Sequence, residues 1–257
     1  MNIAFLSALL PVVLLLYFIY RQDKTHPEPI GKLLITFFVG CFSVVPALLL
    51  EECLSLAQPS PSSFPILSGI YGGYVVAGTS EELCKLLLLL LVIWRSPHFD
   101  EYFDGIIYAT FLSLGFACVE NIAYVIGGDD PISTALMRGL LSVPAHFLFA
   151  VTMGYYVSLA KFDPANRRKH LCRAFFYPML LHGTYDAILM ISTNLTSSTP
   201  NPGLINNGVC SVLFILFIAF DIRLWKWGIR RIKNMQRRSQ EQDFNPSDPF
   251  SNFKWDI

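Results

Sequence analysis

Seven stretches of this chain are long and apolar enough to cross the roughly 30 Å hydrocarbon core of a bilayer. They lie near residues 2–20, 33–50, 66–94, 104–127, 134–160, 171–192 and 204–227. No other feature limits the fold as strongly. In lipid every backbone polar group must be satisfied internally, and a helix does this within one segment. The expected fold is therefore an all-α, polytopic transmembrane bundle of about seven spans. The breaks between stretches are rich in proline, glycine or charge, as at Pro27 and Pro29, Pro59 to Pro65, and Gly127 to Pro131, and read as loops rather than domain linkers. One transmembrane domain over 1–228 is expected, followed by a polar tail over 229–257 that forms a short amphipathic or disordered extension. The first stretch has no basic leader and no small-residue cleavage site before Arg21, so it reads as a retained helix.

Lysine and arginine are placed asymmetrically. Arg21, Lys24 and Lys32 lie between the first two spans, Arg95 after the third, Lys161, Arg167, Arg168, Lys169 and Arg173 between the fifth and sixth, and Arg223 onward at the end. The intervening loops have none. Positive charge is retained on the cytoplasmic side, so the N-terminus is expected outside and the C-terminus inside, in a multi-pass protein of the cell membrane. The same placement argues against a nucleic-acid role, because these basic residues trace a membrane face. The six cysteines, Cys41, Cys53, Cys84, Cys118, Cys172 and Cys210, are scattered singly and suggest neither a disulfide framework nor a zinc knuckle.

Against this apolar background, ionisable groups stand inside the third, fifth and sixth spans: Glu81-Glu82-x-x-Lys85, His146, and His182-x-x-x-Asp186. A charged side chain in the bilayer costs a few kcal/mol or more, so such residues point to function. Both carboxylates of the doublet lie within one helical turn of Lys85. Pairing one with the ammonium would leave the other free to act as a general base. The alternative, a salt bridge that only stitches helices together, leaves an unneeded second carboxylate, and buried ion pairs are poor sources of net stability. The fourth span carries Ala109, Ser113, Ala117 and Asn121 at spacing four, a stripe suited to close packing. Glu120 and Asn121 at its outer end read equally as a capping pair or as part of a site wall. Arg138, Ser142, His146, Ala150 and Gly154 share a face of the fifth span, with Pro144 loosening the backbone before His146. That places His146 about 15 Å deep. His182 and Asp186 fall on one face of the sixth, where the carboxylate can orient the imidazole. Arg138 is expected to snorkel or to pair with Glu120, and Tyr185 to pack.

Taken together, these residues resemble the glutamic-type intramembrane proteases of the PrsW type, within the wider group that includes the CAAX prenyl endopeptidases. The matching elements are Glu81-Glu82-x-x-Lys85, Asp104-Gly105-Ile106-Ile107-Tyr108 through Gly115-Phe116-Ala117 to Glu120-Asn121, Pro144-Ala145-His146, and His182-Gly183-Thr184-Tyr185-Asp186. The basic residue follows the doublet more closely than in the CAAX branch, and Asp186 stands where that branch commonly has an amide. Both departures favour the PrsW branch. The resemblance implies an intramembrane endopeptidase acting on membrane-protein substrates, including site-one cleavage of an anti-sigma factor. Its expected site comprises Glu81, Glu82, Lys85, Glu120, Asn121, His146, His182 and Asp186, with Glu82 favoured as the base. No cofactor is expected, because the histidines come singly from two helices without H-E-x-x-H spacing. Zinc held by Glu82, His146 and His182 is the alternative. Two readings from other classes remain, a non-catalytic membrane scaffold and a proton-coupled transporter. The lack of a detectable internal repeat weighs against the transporter.

Overall fold

The structure is a computed structural model that describes residues 2–23, 26–197 and 204–243. Lys24, part of the expected loop after Ser192, and the tail beyond Asp243 lie outside the described residues. Among those described, the chain forms seven helical rods and no strand. The first two are α1 (Asn2–Gln22) and α2 (Ile30–Ser55). The third joins α3 (Pro65–Tyr71), a π-helical stretch Gly72–Gly78 and α4 (Thr79–Ile93) without a break. The fourth is α5 (Asp104–Gly127). The fifth joins α6 (Pro131–Met137), π turns Arg138–Ser142 and α7 (Val143–Phe162). The last two are α8 (Arg167–Ser197) and α9 (Leu204–Asp243). Five of the seven are apolar enough by composition alone to span a membrane. The third rod and α8 are not, because they carry the doublet with its lysine, and His182 with Asp186 and a basic first turn.

Position in the bundle follows composition. Every residue of α5 from Asp104 to Cys118 is buried, as is α7 from Ala145 to Gly154, and these two helices form the centre. Their contact is close because it is made through glycine. A Cβ on Gly154 would stand 2.2 Å from the carbonyl oxygen of Gly105, which no side chain tolerates. Ser113 of the small stripe donates to the carbonyl of His146 at 3.0 Å, so the stripe packs as its spacing implied. The outer helices α1, α2 and α9 instead expose large apolar residues such as Leu14, Phe38, Leu49 and Ile215, as surfaces meeting lipid do.

The basic ends are gathered at one end of the bundle. Lys161 donates to the Trp94 carbonyl at 3.0 Å and Gln236 to that of Gln22 at 2.7 Å. At this end α9 does not stop near residue 228. It continues to Asp243 with Ile232, Met235 and Ser239 buried. Ser239 accepts the N–H of Phe103 at 2.9 Å, tying the helix under the start of α5. The link between α1 and α2 folds into the same corner. Glu28 N–H donates to Asp23, and the Tyr108 hydroxyl donates to Glu28. Burial pushes the Asp23 carboxyl up to about 6 and the Glu28 carboxyl up to about 7. The Asp104 side chain accepts N–H bonds from Asp100 and Glu101. The Asp104-to-Tyr108 run quoted in the sequence comparison thus builds this corner and does not line the site.

Candidate active site

Glu81 and Glu82 open the first turn of α4, directly after the π-helical stretch Gly72–Gly78. His146 opens α7, directly after the π turns Arg138–Ser142. Each π turn inserts a residue that a 3.6-residue period does not count, and such bulges recur at functional sites. The first of them is itself glycine-rich, which lets α8 approach. A Cβ on Gly73 would lie 2.5 Å from Ala187 N, and one on Gly183 would lie 2.4 Å from the Tyr74 ring. Two glycines facing each other therefore bring His182 and Asp186 against the doublet.

At the centre is Lys85, 1% exposed. Its ammonium lies 2.8 Å from Glu81 Oε2, 2.9 Å from Glu82 Oε1 and 3.2 Å from His146 Nδ1. An ammonium has three protons, and these three acceptors use all of them. Both carboxylates are held, where the sequence had suggested one. Because Lys85 can only donate, His146 Nδ1 must accept, which leaves the proton on Nε2, facing Glu120 Oε2 at 2.8 Å. Glu120 is fixed in turn by Arg138 at 2.9 Å. It is therefore a direct member of the cluster. Asn121 accepts from Arg138 and donates to the Ala8 carbonyl at 2.8 Å, bracing α1 and Arg138 from outside the cavity.

His182 completes the cluster from α8. Its Nδ1 lies 2.9 Å from Glu82 Oε1, and its Nε2 lies 3.2 Å from Asp186 and 3.9 Å from Glu81 Oε1. A carboxyl group thus faces each ring nitrogen of His182. The His146 and His182 rings sit edge to face at 5.2 Å, and Phe149 stacks on His182 at 4.9 Å. Phe116 covers Lys85, 4.0 Å from its ring centre.

A cavity of about 690 Å³ opens beside this cluster. Glu81, Glu120, His146, His182 and Asp186 line it, and Glu82 does not. Its remaining wall is largely apolar, with Val44, Leu48, Val76, Leu141 and Met190. Glu51 of α2 also faces it, a carboxylate that the sequence reading passed over because it falls one residue beyond the expected span. A second Glu-Glu pair at a span end was the available signal. Phe116 fell within the Gly115-Phe116-Ala117 element of the resemblance, whereas nothing marked out Phe149 in a chain with 21 phenylalanines.

Glu81, Glu82, His146 and His182 each offer a ligand atom within 4.8 Å of the others. Two imidazoles and carboxylates suit zinc in donor type. Lys85 is hydrogen-bonded to three of these four side chains, Glu81, Glu82 and His146.

Residues 28–220 match the family described as PrsW family intramembrane metalloprotease. The chain is 34% identical to Protease PrsW of Clostridioides difficile (strain 630), over 93% of this chain and 94% of that one. It is 32% identical to Protease PrsW of Bacillus subtilis (strain 168), over 88% and 93%. It is 35% identical to Protease PrsW of Halalkalibacterium halodurans, over 88% and 94%. No solved structure matches significantly.

Proposed function

The chain belongs to the PrsW family of intramembrane proteases, and from that premise we propose that it is an endopeptidase of the glutamic type, cleaving a membrane-protein segment admitted to the cavity. The observation that carries this reading is the division of labour within the doublet. Lys85 and His182 converge on one oxygen of the fully buried Glu82, while Glu81 reaches the same ammonium and also faces the cavity. A general base must touch the water it activates. Glu81 is therefore the base and Glu82 the anchor, reversing the preference drawn from sequence.

In this mechanism a water in the cavity gives its proton to Glu81 as its oxygen attacks the scissile carbonyl carbon. Charge developing on the carbonyl oxygen draws toward it the Nε2 protons of His146 and His182, which in the resting site face Glu120 and Asp186. Glu120 and Asp186 hold those imidazoles in position, and the ammonium of Lys85 orients Glu81. The proton on Glu81 then passes to the amide nitrogen as the C–N bond breaks, regenerating the carboxylate. The apolar wall matches a substrate that is itself a transmembrane helix, and an anti-sigma factor fits that class. The basic end of the bundle faces the cytoplasm in this reading.

The test is quantitative profiling of membrane-protein fragments in the native cell, comparing wild type with a Glu81→Gln variant that accumulates and folds normally. Fragments ending within or near a transmembrane span should vanish in the variant. Identical profiles would leave a scaffold or transporter role in its place.

The four clustered donors favour one second reading. Glu81, Glu82, His146 and His182 would hold zinc, which would supply Lewis-acid polarisation and a more acidic bound water. Exhaustive chelation of the purified protein separates the two. Unchanged activity supports the glutamic reading, and loss restored by zinc supports the metal.

A further inference from the structure

α9 changes character abruptly. From Val209 to Ile222 its only charge is Asp221, whereas Arg223 to Arg238 carries seven cations and no carboxylate. A membrane interface falls at such a boundary. At this level a groove of about 730 Å³ runs between α8 and α9, floored by Leu181 and Phe220 and rimmed by Arg223, Lys226, Trp227 and Arg230.

The cations of the rim are disposed unlike others on the same helix. Arg231, on the adjacent, inward-turned face, is buried, donates to Thr152 at 2.7 Å and packs over Trp227 at 4.1 Å. Arg237 pairs with Glu241. Arg223, Lys226 and Arg230 are exposed, and among the described residues none forms an ion pair. Their spacing of three and four puts them on one stripe. The Trp227 ring is held on one side by Arg231 and remains 43% exposed, the placement of an interfacial aromatic. Asp221, the nearest carboxylate in sequence, does not line the groove. Above the rim, Phe214, Ile215, Leu216 and Ile218 are exposed and apolar.

Unpaired cations at the interface, an apolar floor and an apolar surface leading into the bilayer match an amphiphile with a negative head. We propose that this groove binds one anionic phospholipid, its phosphate held by Arg223, Lys226 and Arg230 and its acyl chains lying along α8 and α9. Leu181 lines this groove and His182, the next residue, lines the cavity, so the lipid would rest on the back of the turn that carries His182.

The experiment is native mass spectrometry of the full chain released from phosphatidylcholine nanodiscs doped with phosphatidylglycerol. The expected result is one retained phosphatidylglycerol in preference to phosphatidylcholine. The triple variant Arg223→Ala, Lys226→Ala, Arg230→Ala should weaken retention on the order of a hundredfold, with each cation near the surface contributing several-fold. Arg237→Ala, outside the groove, should leave retention unchanged. Equal retention of the two lipids by wild type, wild-type retention by the triple variant, or displacement by millimolar inorganic phosphate would each overturn the proposal, the last by assigning the site to a soluble phosphate. A second measurement does not depend on the triple variant folding. Brominated phosphatidylglycerol should quench tryptophan fluorescence more than brominated phosphatidylcholine in wild type, and the difference should disappear in Trp227→Phe. Equal quenching by the two lipids would also overturn it.

Discussion

Replacing each glutamate of the doublet by glutamine separates the two roles assigned above. In Glu81→Gln the volume is kept and the amide oxygen can still accept from Lys85, which retains Glu82 at 2.9 Å and His146 at 3.2 Å. The stability loss is that of a charged hydrogen bond becoming a neutral one, about 1 kcal/mol. The amide cannot take a proton from water, so the general-base contribution of 10²–10⁴ disappears, about 3–5 kcal/mol of transition-state stabilisation. Glu82→Gln reverses the balance. One oxygen of Glu82 meets both Lys85 and His182 at 2.9 Å, with the residue 1% exposed. Losing that charge uncompensates two partners and costs about 3–5 kcal/mol of stability. The fraction that remains folded keeps its base and should lose less than about tenfold in rate. The assay is single-turnover cleavage of a labelled single-span substrate in proteoliposomes, read beside the thermal unfolding midpoint. A larger rate loss in Glu82→Gln than in Glu81→Gln, at equal folded fraction, would refute the assignment.

Glu120→Gln should slow cleavage by about 10–100-fold with little loss of stability, because it loosens the partner that fixes His146 Nε2; kcat measured at saturating substrate checks this. Gly73→Ala should push α8 away from the doublet, since its Cβ would lie 2.5 Å from Ala187 N. A displacement of about 1 Å at His182 costs about a hundredfold in rate, and Gly31→Ala, where the Cβ meets nothing within 4 Å, is the control. Asp23 and Glu28 have folded-state values raised to about 6 and about 7. Groups raised on folding contribute stability that is complete below their unfolded values and lost as pH rises through the folded ones. The unfolding midpoint should therefore fall between about pH 4 and pH 7, by on the order of 5 °C, and Asp23→Asn with Glu28→Gln should flatten that slope.

The helical, multi-segment architecture was legible because hydropathy and backbone satisfaction in lipid leave no other choice. The cluster was legible for the same reason: Glu81, Glu82, Lys85, His146, His182 and Asp186 are costly inside apolar helices, and their cost marks them without any structure. Asp186 beside His182 and Arg138 beside Glu120 follow from spacing and charge, and both contacts form. Sequence could not see the π turns before Glu81 and His146, since an inserted residue shifts helical phase without a compositional trace. Nor could it tell Glu120 from a capping residue, place Glu51 on the cavity wall, or predict that α9 runs on through Asp243. Each of these depends on which helix faces are turned inward. The packing of Gly73 on α8 and of Gly154 on α5 sets those rotations. The sequence thus determined which polar residues gather inside the bundle, through the cost of such groups in lipid. The tertiary structure alone decided which carboxylate looks into the cavity and which is buried behind it, because that depends on distances of an ångström or two between helices far apart in the chain.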